Sequence, residues 1–535
     1  MITKEEVKKI VDDYSDRGLI EIKTFGEALR EWCETYTNRI ALIEEGRSIS
    51  YTQLWKETCG LAELFKKKGL IYKDNVMVQL PNSINFVKVI MALMMIGARP
   101  VLMLPTHKEY ELEAIAKLAE PVAIVTAISV LGINYVEMAE KTKKKVGSIK
   151  RVFTDGIYSG ATDINNVIPV EDISSAADIM PDAYDISLFL LSGGTTGIPK
   201  LIPKIHAAYL CNAIESAKRC GVTADSVYLA ALSVSHDYPL CCPGVIGTMA
   251  FGGASVLCKT ASLEEVLPWI EKAKVTFTSV VPVVANMWNE VMEWCDPVDL
   301  SSLKYILIGA AKFETSSAKK LEENFQCKII QGYGLGEGVT CFTCPNDPTD
   351  VSWNTQGTPI STGDILRIID EAGNEVSAGE SGELIETGPY TFFGYYRAPD
   401  LNEVLFTKDG FFVTGDKAMK TPEGNLIILG RVREQINRAG ENIVPEEIES
   451  LIKKSEYIIE VAVIGISDME LGERTCAVAV KNKKELTLAE LRKFLSEIGI
   501  APFKLPDQLI YVEQLPYKNV GKVDKKTLKK MFGDI

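Results

Sequence analysis

The stretch Ile186–Lys200, ISLFLLSGGTTGIPK, sets an apolar strand, Ile186–Leu191, before a run of Ser192, Gly193, Gly194, Thr195, Thr196 and Gly197, with Lys200 shortly after. Glycines let a backbone wrap an anion with no Cβ in the way, and oriented amides supply a positive field. A Gly/Ser/Thr loop by itself is more often a plain turn. Here the preceding strand, three hydroxyls and Lys200 favour a polyphosphate ligand. The G-x-x-x-x-G-K-[ST] spacing of a Walker loop is absent.

Working outward, Asn75–Leu80, Val101–Leu104 and Pro121–Thr126 read as short apolar strands separated by helix-length segments such as Ser83–Ile96. That rhythm predicts parallel α/β units, and it returns at Ser226–Leu232, Gly253–Leu257 and Val275–Val281. From Asp364 to Leu429 the texture changes to short alternating strands with Gly-rich turns, predicting an antiparallel region or small β-barrel. After Gly430, helices at Pro445–Lys454 and Leu488–Ile498 and strands at Val461–Ile466 and Thr475–Val480 predict a compact α+β domain. The expected organisation is therefore α/β and multi-domain, with a change of texture after Gly430 and a short hinge between domains.

Across 535 residues, 58 Lys+Arg against 72 Asp+Glu give a formal net charge of −14, which argues against nucleic acid as the main partner. The N-terminus has no apolar targeting core. The apolar run Val89–Ala98, bracketed by Lys88 and Arg99, is too short to span a bilayer, so no membrane partner is expected. The 12 Cys are scattered through a long chain, favouring reduced thiols and a cytoplasmic location. Cys341 and Cys344 form one C-x-x-C, but with His107, His206 and His236 as the only histidines a zinc site is not expected.

Leu191–Lys200 closely resembles the phosphate-loop signature of the adenylate-forming ligase superfamily, and further landmarks of that family follow in order. Gln331–Gly338 (QGYGLGEG) resembles the segment whose aromatic residue packs on adenine and whose Glu helps hold magnesium, here Tyr333 and Glu337. Thr414-Gly415-Asp416 resembles the T-G-D whose carboxylate binds the ribose hydroxyls; Gly430-Arg431 opens the family's hinge, with Arg433 its pivot; and Lys522 in Pro516–Lys522 (PYKNVGK) resembles its mobile catalytic lysine. Gly336 stands where many relatives have Thr. The resemblance implies residues 1–430 as one domain, a hinge at 431–434 and a mobile domain at 435–535, with ATP and Mg2+ as cofactors. It implies ATP contacts at Ser192, Gly193, Gly194, Thr195, Thr196, Gly197, Lys200, Gly309, Ala310, Gly332, Tyr333, Gly334, Asp416, Arg431 and Lys522. Catalytic roles fall to Lys522, Glu337, Thr195 and His236. Read on its own, Asp416 is a carboxylate in a turn able to accept two hydroxyls, and Lys522 sits among Lys518, Lys525, Lys526, Lys529 and Lys530, a charged tail that only the family match distinguishes.

Ser235–Gly244 (SHDYPLCCPG) resembles the H-N-Y-P-L-S-S-P-G segment of stand-alone aryl-acid adenylating enzymes, which activate 2,3-dihydroxybenzoate or salicylate. LIPKIH, GPYTFFGYYRAPDLN, REQINRAGENI and LGERTC match the same branch. The resemblance implies aryl-acid contacts at His236, Asp237, Tyr238, Cys242, Leu335 and Val339. Where that branch has Asn, this chain has Asp237. An ionised Asp only accepts hydrogen bonds, so the acid is expected to bring N–H or O–H groups to it. That favours 2-aminobenzoate, with an ortho-hydroxybenzoate the alternative if Asp237 pairs with a hydroxyl. A thiol is a poor hydrogen-bond partner, so Cys242 weakens the case for a 3-hydroxyl and reads as pocket wall. The expected partners are a small aromatic acid and, as thiol acceptor, the phosphopantetheine of an aryl or peptidyl carrier protein or coenzyme A.

Overall fold

A computed structural model describes residues 2–130, 132–171, 181–192, 199–311, 313–431, 435–482, 484–517 and 523–533. Gly193, Gly194, Thr195, Thr196, Gly197, Arg433 and Lys522 lie outside the described residues, as does the side chain of Arg431.

Two large sheets organise the chain up to Pro359. A seven-stranded sheet runs Lys200–Ile205, Ile186–Ser192, Arg99–Leu102, Asn75–Gln79, Ala123–Ala127, Arg151–Asp155, Thr162–Asp163. All its neighbours are parallel except the first two, an antiparallel pair that is joined in sequence by residues 193–199. A nine-stranded sheet runs Thr358–Pro359, Thr340–Phe342, Lys328–Gly334, Tyr305–Ile308, Phe277–Val280, Val227–Ala230, Ala254–Leu257, Ile40–Glu44, Arg47–Ser50. Its strands from Lys328–Gly334 to Ile40–Glu44 are parallel.

Helices fill the space between the sheets because their sequences are apolar on more than one face. Ile84–Met95 (INFVKVIMALMM) begins at Ser83, whose hydroxyl accepts from the Phe86 N–H, and packs against strands of both sheets. Its one cation, Lys88, is buried and pairs with Glu57 at 2.9 Å. His206–Arg219 is likewise buried along most of its length. One continuous apolar core therefore joins the two sheets.

The antiparallel region is a four-stranded sheet ordered Ile365–Ile369, Ser381–Thr387, Phe412–Lys420, Leu426–Arg431. The free edge of its last strand is met by Gln356 and Gly357 through backbone hydrogen bonds to Leu426, so the barrel read from the alternation is an open sheet sealed by a loop. Beyond residue 435 a separate sheet is built on the long pair Ile458–Asp468 and Gly472–Lys481. Helices Pro445–Ile452 and Leu488–Ile498 cover one face and Lys525–Phe532 the other, each with its own apolar cluster. Among the described residues no helix is long and apolar enough to cross a membrane.

Candidate active site

In open α/β sheets ligands gather beyond the carboxyl ends of the strands, where strand order reverses. Val227–Ala230 marks that point here: the next strand, Ala254–Leu257, pairs on one side of it and Phe277–Val280 on the other. The segments leaving three parallel strands, 231–242, 309–310 and 332–337, converge there on a cavity of about 740 Å³. Ser192, Lys200, Gly309, Ala310, Gly332, Tyr333, Gly334, Leu335, Glu337, His236, Asp237, Tyr238 and Cys242 all line it. Val339 does not: it is fully buried in the core beside the antiparallel sheet, against the expectation of an acid contact.

At the acid end, Asp237 opens a short helix whose mouth faces the cavity. The Tyr209 hydroxyl donates to its Oδ1 at 2.6 Å, and the Cys242 thiol points at its Oδ2 from 3.8 Å, a weak contact that leaves this oxygen able to accept. Burial pushes the Asp237 carboxyl up, opposed by the charge of Lys204 and the Tyr209 hydrogen bond. Lys204 is itself buried, donating to the carbonyls of Gly336 and Tyr390 at 3.0 and 3.2 Å, with its ammonium over the Tyr209 ring. Asn212 completes the arrangement, donating to Cys242 Sγ at 3.4 Å and accepting from the Thr340 hydroxyl at 3.2 Å. Burial first, then Asp237, raises the Cys242 thiol well above its usual range, so it is a neutral wall and not a nucleophile. Tyr238 lays its ring against Gly309, where an added Cβ would sit 3.1 Å from Cζ. A glycine is needed there for the ring to approach.

At the nucleotide end, Tyr333 donates its hydroxyl to Asp416 Oδ2 at 2.6 Å. Thr414 and Gly415 line the cavity, and Thr414 fixes the turn by accepting from the Asp416 N–H and donating to the Leu384 carbonyl. Arg431 pairs with Asp416 through the strand register. The Tyr395 hydroxyl donates to Glu337 Oε1 at 2.6 Å while Lys200 lies over the same ring, 4.8 Å from its centroid. Glu337 is a cavity carboxylate that could hold a hard cation, through the oxygen that Tyr395 does not engage. The chain offers one carboxylate oxygen there, and among the described residues no cluster of three or more ligating side chains forms a cage. Magnesium bound in this way takes most of its ligands from substrate phosphates and water.

The remaining wall comes from the C-terminal part of the chain: Gln435, 439–442, Val444, Glu447 and 502–504. His236 Nε2 lies 3.2 Å from Glu441 Oε1, both deep in the cavity yet facing its open volume. Burial pushes His236 down, but Glu441 outweighs it and the net shift is upward. Asn437 donates to the Ala310 carbonyl at 3.0 Å. Sequence reasoning gave no role to Lys204, Tyr209, Asn212, Tyr395 or Glu441. Tyr209 and Asn212 carried a signal: His206, Tyr209 and Asn212 recur every three residues among the apolar residues of the first half of this helix, before the charged end Glu215–Arg219.

Fold and cavity together define an α/β protein with a deep cavity walled by the carboxyl ends of its parallel strands and by its C-terminal part. The chain belongs to the AMP-binding enzyme family, whose model matches residues 29–396, with the AMP-binding enzyme C-terminal domain matching 447–522. It is 36% identical to a 2,3-dihydroxybenzoate-AMP ligase of Bacillus subtilis over 528 residues, 98% of this chain and 97% of that one. It is 37% identical to a salicylyl-CoA synthase / salicylate adenylyltransferase of a Streptomyces species, over 98% of this chain and 96% of that one. Among solved structures it resembles apo MbtA of Mycobacterium smegmatis, with TM-score 0.74, 33% identity and 98% of each chain covered.

Proposed function

We propose that this protein is an ATP-dependent aryl-acid adenylating ligase whose acid carries an ortho hydrogen-bond donor, with 2-aminobenzoate the first candidate and salicylate the second. The observation that carries the substrate argument is Asp237 at the floor of the cavity, one oxygen held by Tyr209 and the other presented to the ligand. An amine or a phenol donates to that oxygen; an unsubstituted ring leaves it unanswered. The Tyr209 bond favours keeping the hydroxy acid in view, because Asp237 then needs only one donor from the ligand. Cys242 is engaged by Asn212 and Asp237, which supports a ring with no 3-hydroxyl.

In the first step an oxygen of the acid's carboxylate bonds to the α-phosphorus of ATP as the bond to the bridging oxygen breaks and pyrophosphate leaves. The nucleophile is ionised at neutral pH, so no general base is needed, and the protein's work is positioning and charge stabilisation. Asp416 and Tyr333 hold the nucleoside, Ser192–Lys200 the phosphates, and Lys522 enters with the C-terminal domain (435–535) as it turns about 431–434. Magnesium, held by Glu337, would neutralise charge on the phosphoryl oxygens. In the second step a thiol attacks the acyl carbon and AMP leaves. The acceptor is the phosphopantetheine of a carrier protein, or coenzyme A in the alternative. All twelve cysteines are free thiols, which favours a reducing, cytoplasmic setting.

The test is ATP–pyrophosphate exchange across 2-aminobenzoate, salicylate, 2,3-dihydroxybenzoate, benzoate and several amino acids. Exchange with an ortho-amino or ortho-hydroxy benzoate at least ten-fold above benzoate, the factor that ~1.4 kcal/mol gives, is the expected result. Equal exchange with benzoate removes Asp237 as the reader, and silence across the panel removes the functional reading.

A further inference from the structure

The face that the C-terminal segment presents to the rest of the chain contains a buried charge cluster that the chemistry above does not use. Glu111, on the helix Glu109–Ala119, has no exposed side-chain surface. Its Oε2 accepts from the Lys108 N–H at 3.0 Å at the start of its own helix. Its Oε1 accepts from the Ala501 N–H at 2.9 Å and lies 3.4 Å from Lys504 Nζ. Lys504, 7% exposed, is held on its other side by Glu447 at 2.7 Å. One residue away, the Tyr110 N–H donates to the Gly499 carbonyl at 3.2 Å.

We propose that Glu111 and Lys504 form a separable bridge that holds the C-terminal segment in its present arrangement, and that both are positioning residues for the thioester-forming half of the reaction and not for adenylation; this rests on the two-step reading above. The bridge is built to open. Lys504 and Glu447 belong to the same body and leave together, so undocking strands no cation. Glu111 keeps its helix N–H and meets water. Removing one partner of a buried pair is costly when the other charge stays buried; here neither charge need stay so. The docked arrangement serves the second step because of what it brings to the cavity. Residues 439–442 and 502–504, beside the bridge, line it, whereas Tyr517 and Val523, which flank the segment carrying Lys522, do not.

The test uses the full chain and substitutions at three positions outside the cavity lining, Glu109, Gly499 and Glu111. An added Cβ at Gly499 would lie 3.6 Å from Glu109 Cβ, within the span of a disulfide. Gly499 has a φ of +86°, so the cysteine there is strained, and Glu109→Cys/Gly499→Cys reports how often the two faces meet only by comparison between variants that share it. The rate of its oxidation, read by mass shift without any substrate, should fall by up to about ten-fold when Glu111→Gln is added, ~1.4 kcal/mol being a ten-fold change in the docking equilibrium constant. An unchanged rate overturns the bridge. In turnover, Glu111→Gln should lower transfer from supplied aryl adenylate to pantetheine about ten-fold while ATP–pyrophosphate exchange stays within about two-fold. The oxidised double-cysteine protein should transfer but not exchange, with exchange restored by dithiothreitol. Equal loss of both activities in Glu111→Gln overturns the proposal. A wild type silent in exchange and transfer sinks the adenylation reading instead, and the oxidation rate then decides the bridge alone.

Discussion

At the floor of the cavity Asp237 finds Tyr209, Cys242 and the charge of Lys204 within one packed core, whereas at the roof His236 meets Glu441, and Glu111 meets Lys504, across two separate cores. The floor's contacts are held by helices and strands that share apolar neighbours, so they stay in register whatever the roof does. The roof's contacts are few, polar and paired so that either side can be left without a stranded cation. The difference matches the two tasks of the proposed reaction: selection of the acid needs a fixed partner, and two successive reactions at one site need a wall that can be exchanged.

The sharpest way to break that separation is Lys522→Ala. Adenylation should fall by about 10²–10³-fold, the scale for removing a transition-state charge donor, while thioester formation from supplied aryl adenylate is spared. Pre-steady-state measurement of each half-reaction checks it, and an equal loss in both would mean the roof does not alternate. Next comes the floor. Asp237→Ala leaves Lys204 without its counter-charge, and kcat/KM for the acid should drop about a hundred-fold, from the ~3 kcal/mol that breaking a buried charge arrangement costs. Asp237→Asn should instead erase the preference for 2-aminobenzoate over salicylate in exchange assays. A wild-type preference surviving that change would show that the floor reads the ring by shape.

A third measurement concerns stability behind the floor. Glu386 lies under Gly338, where an added Cβ would fall 1.9 Å from its Oε1. It accepts from the Thr391 hydroxyl at 2.6 Å, and burial holds its carboxyl up at about 8; Asp364 nearby is pushed up to about 7, also by burial. Both acids stay protonated in the native protein where the unfolded chain has ionised them. Unfolding therefore releases protons between the unfolded values and about 7–8, and stability should fall as pH rises through that window. Thermal unfolding at pH 5.5 and 8 should show a decline that Glu386→Gln reduces by about 1–2 °C, since ~1 kcal/mol moves Tm by about 2–4 °C in a chain of 150–250 residues and by less in one of 535. An unchanged slope would mean Glu386 is ionised in the fold. The smallest effect belongs to Cys242→Ser. A hydroxyl can serve a ring substituent that a thiol serves poorly, so the ratio of 2,3-dihydroxybenzoate to salicylate exchange should rise by less than about ten-fold. A fall would place Cys242 away from ring position 3.

Much of the floor could be read from the chain because its residues travel in compact motifs. SHDYPLCCPG and QGYGLGEG, far apart in sequence, deliver Asp237, Tyr238, Cys242, Leu335 and Glu337 to one cavity, with His236 of the same motif facing the roof. The parallel α/β texture before Val281 was also legible, since apolar strands alternated with helix-length segments. Val339 came only with the family resemblance, which carries a position over without the local packing; here it stands just before the strand Thr340–Phe342 and turns into the core beside the antiparallel sheet. Tyr209 and Lys204 escaped notice as site residues because they act through Asp237 and a backbone carbonyl, partners that no spacing rule connects to them. The roof was least legible. Glu111, Glu441 and Lys504 are ordinary charged residues in sequence, and their pairing exists only once two cores are docked.

That the cavity is walled partly by 439–442 and 502–504 has a consequence for stoichiometry. An acyl adenylate is a mixed anhydride, and water entering before the thiol turns it back into free acid and AMP. Each such event consumes one ATP and makes no product. The ratio of ATP used to thioester formed is thus a direct reading of how tightly those residues seal the intermediate, and a chain ending before residue 435 should idle: adenylating slowly, hydrolysing what it makes, and carrying nothing forward.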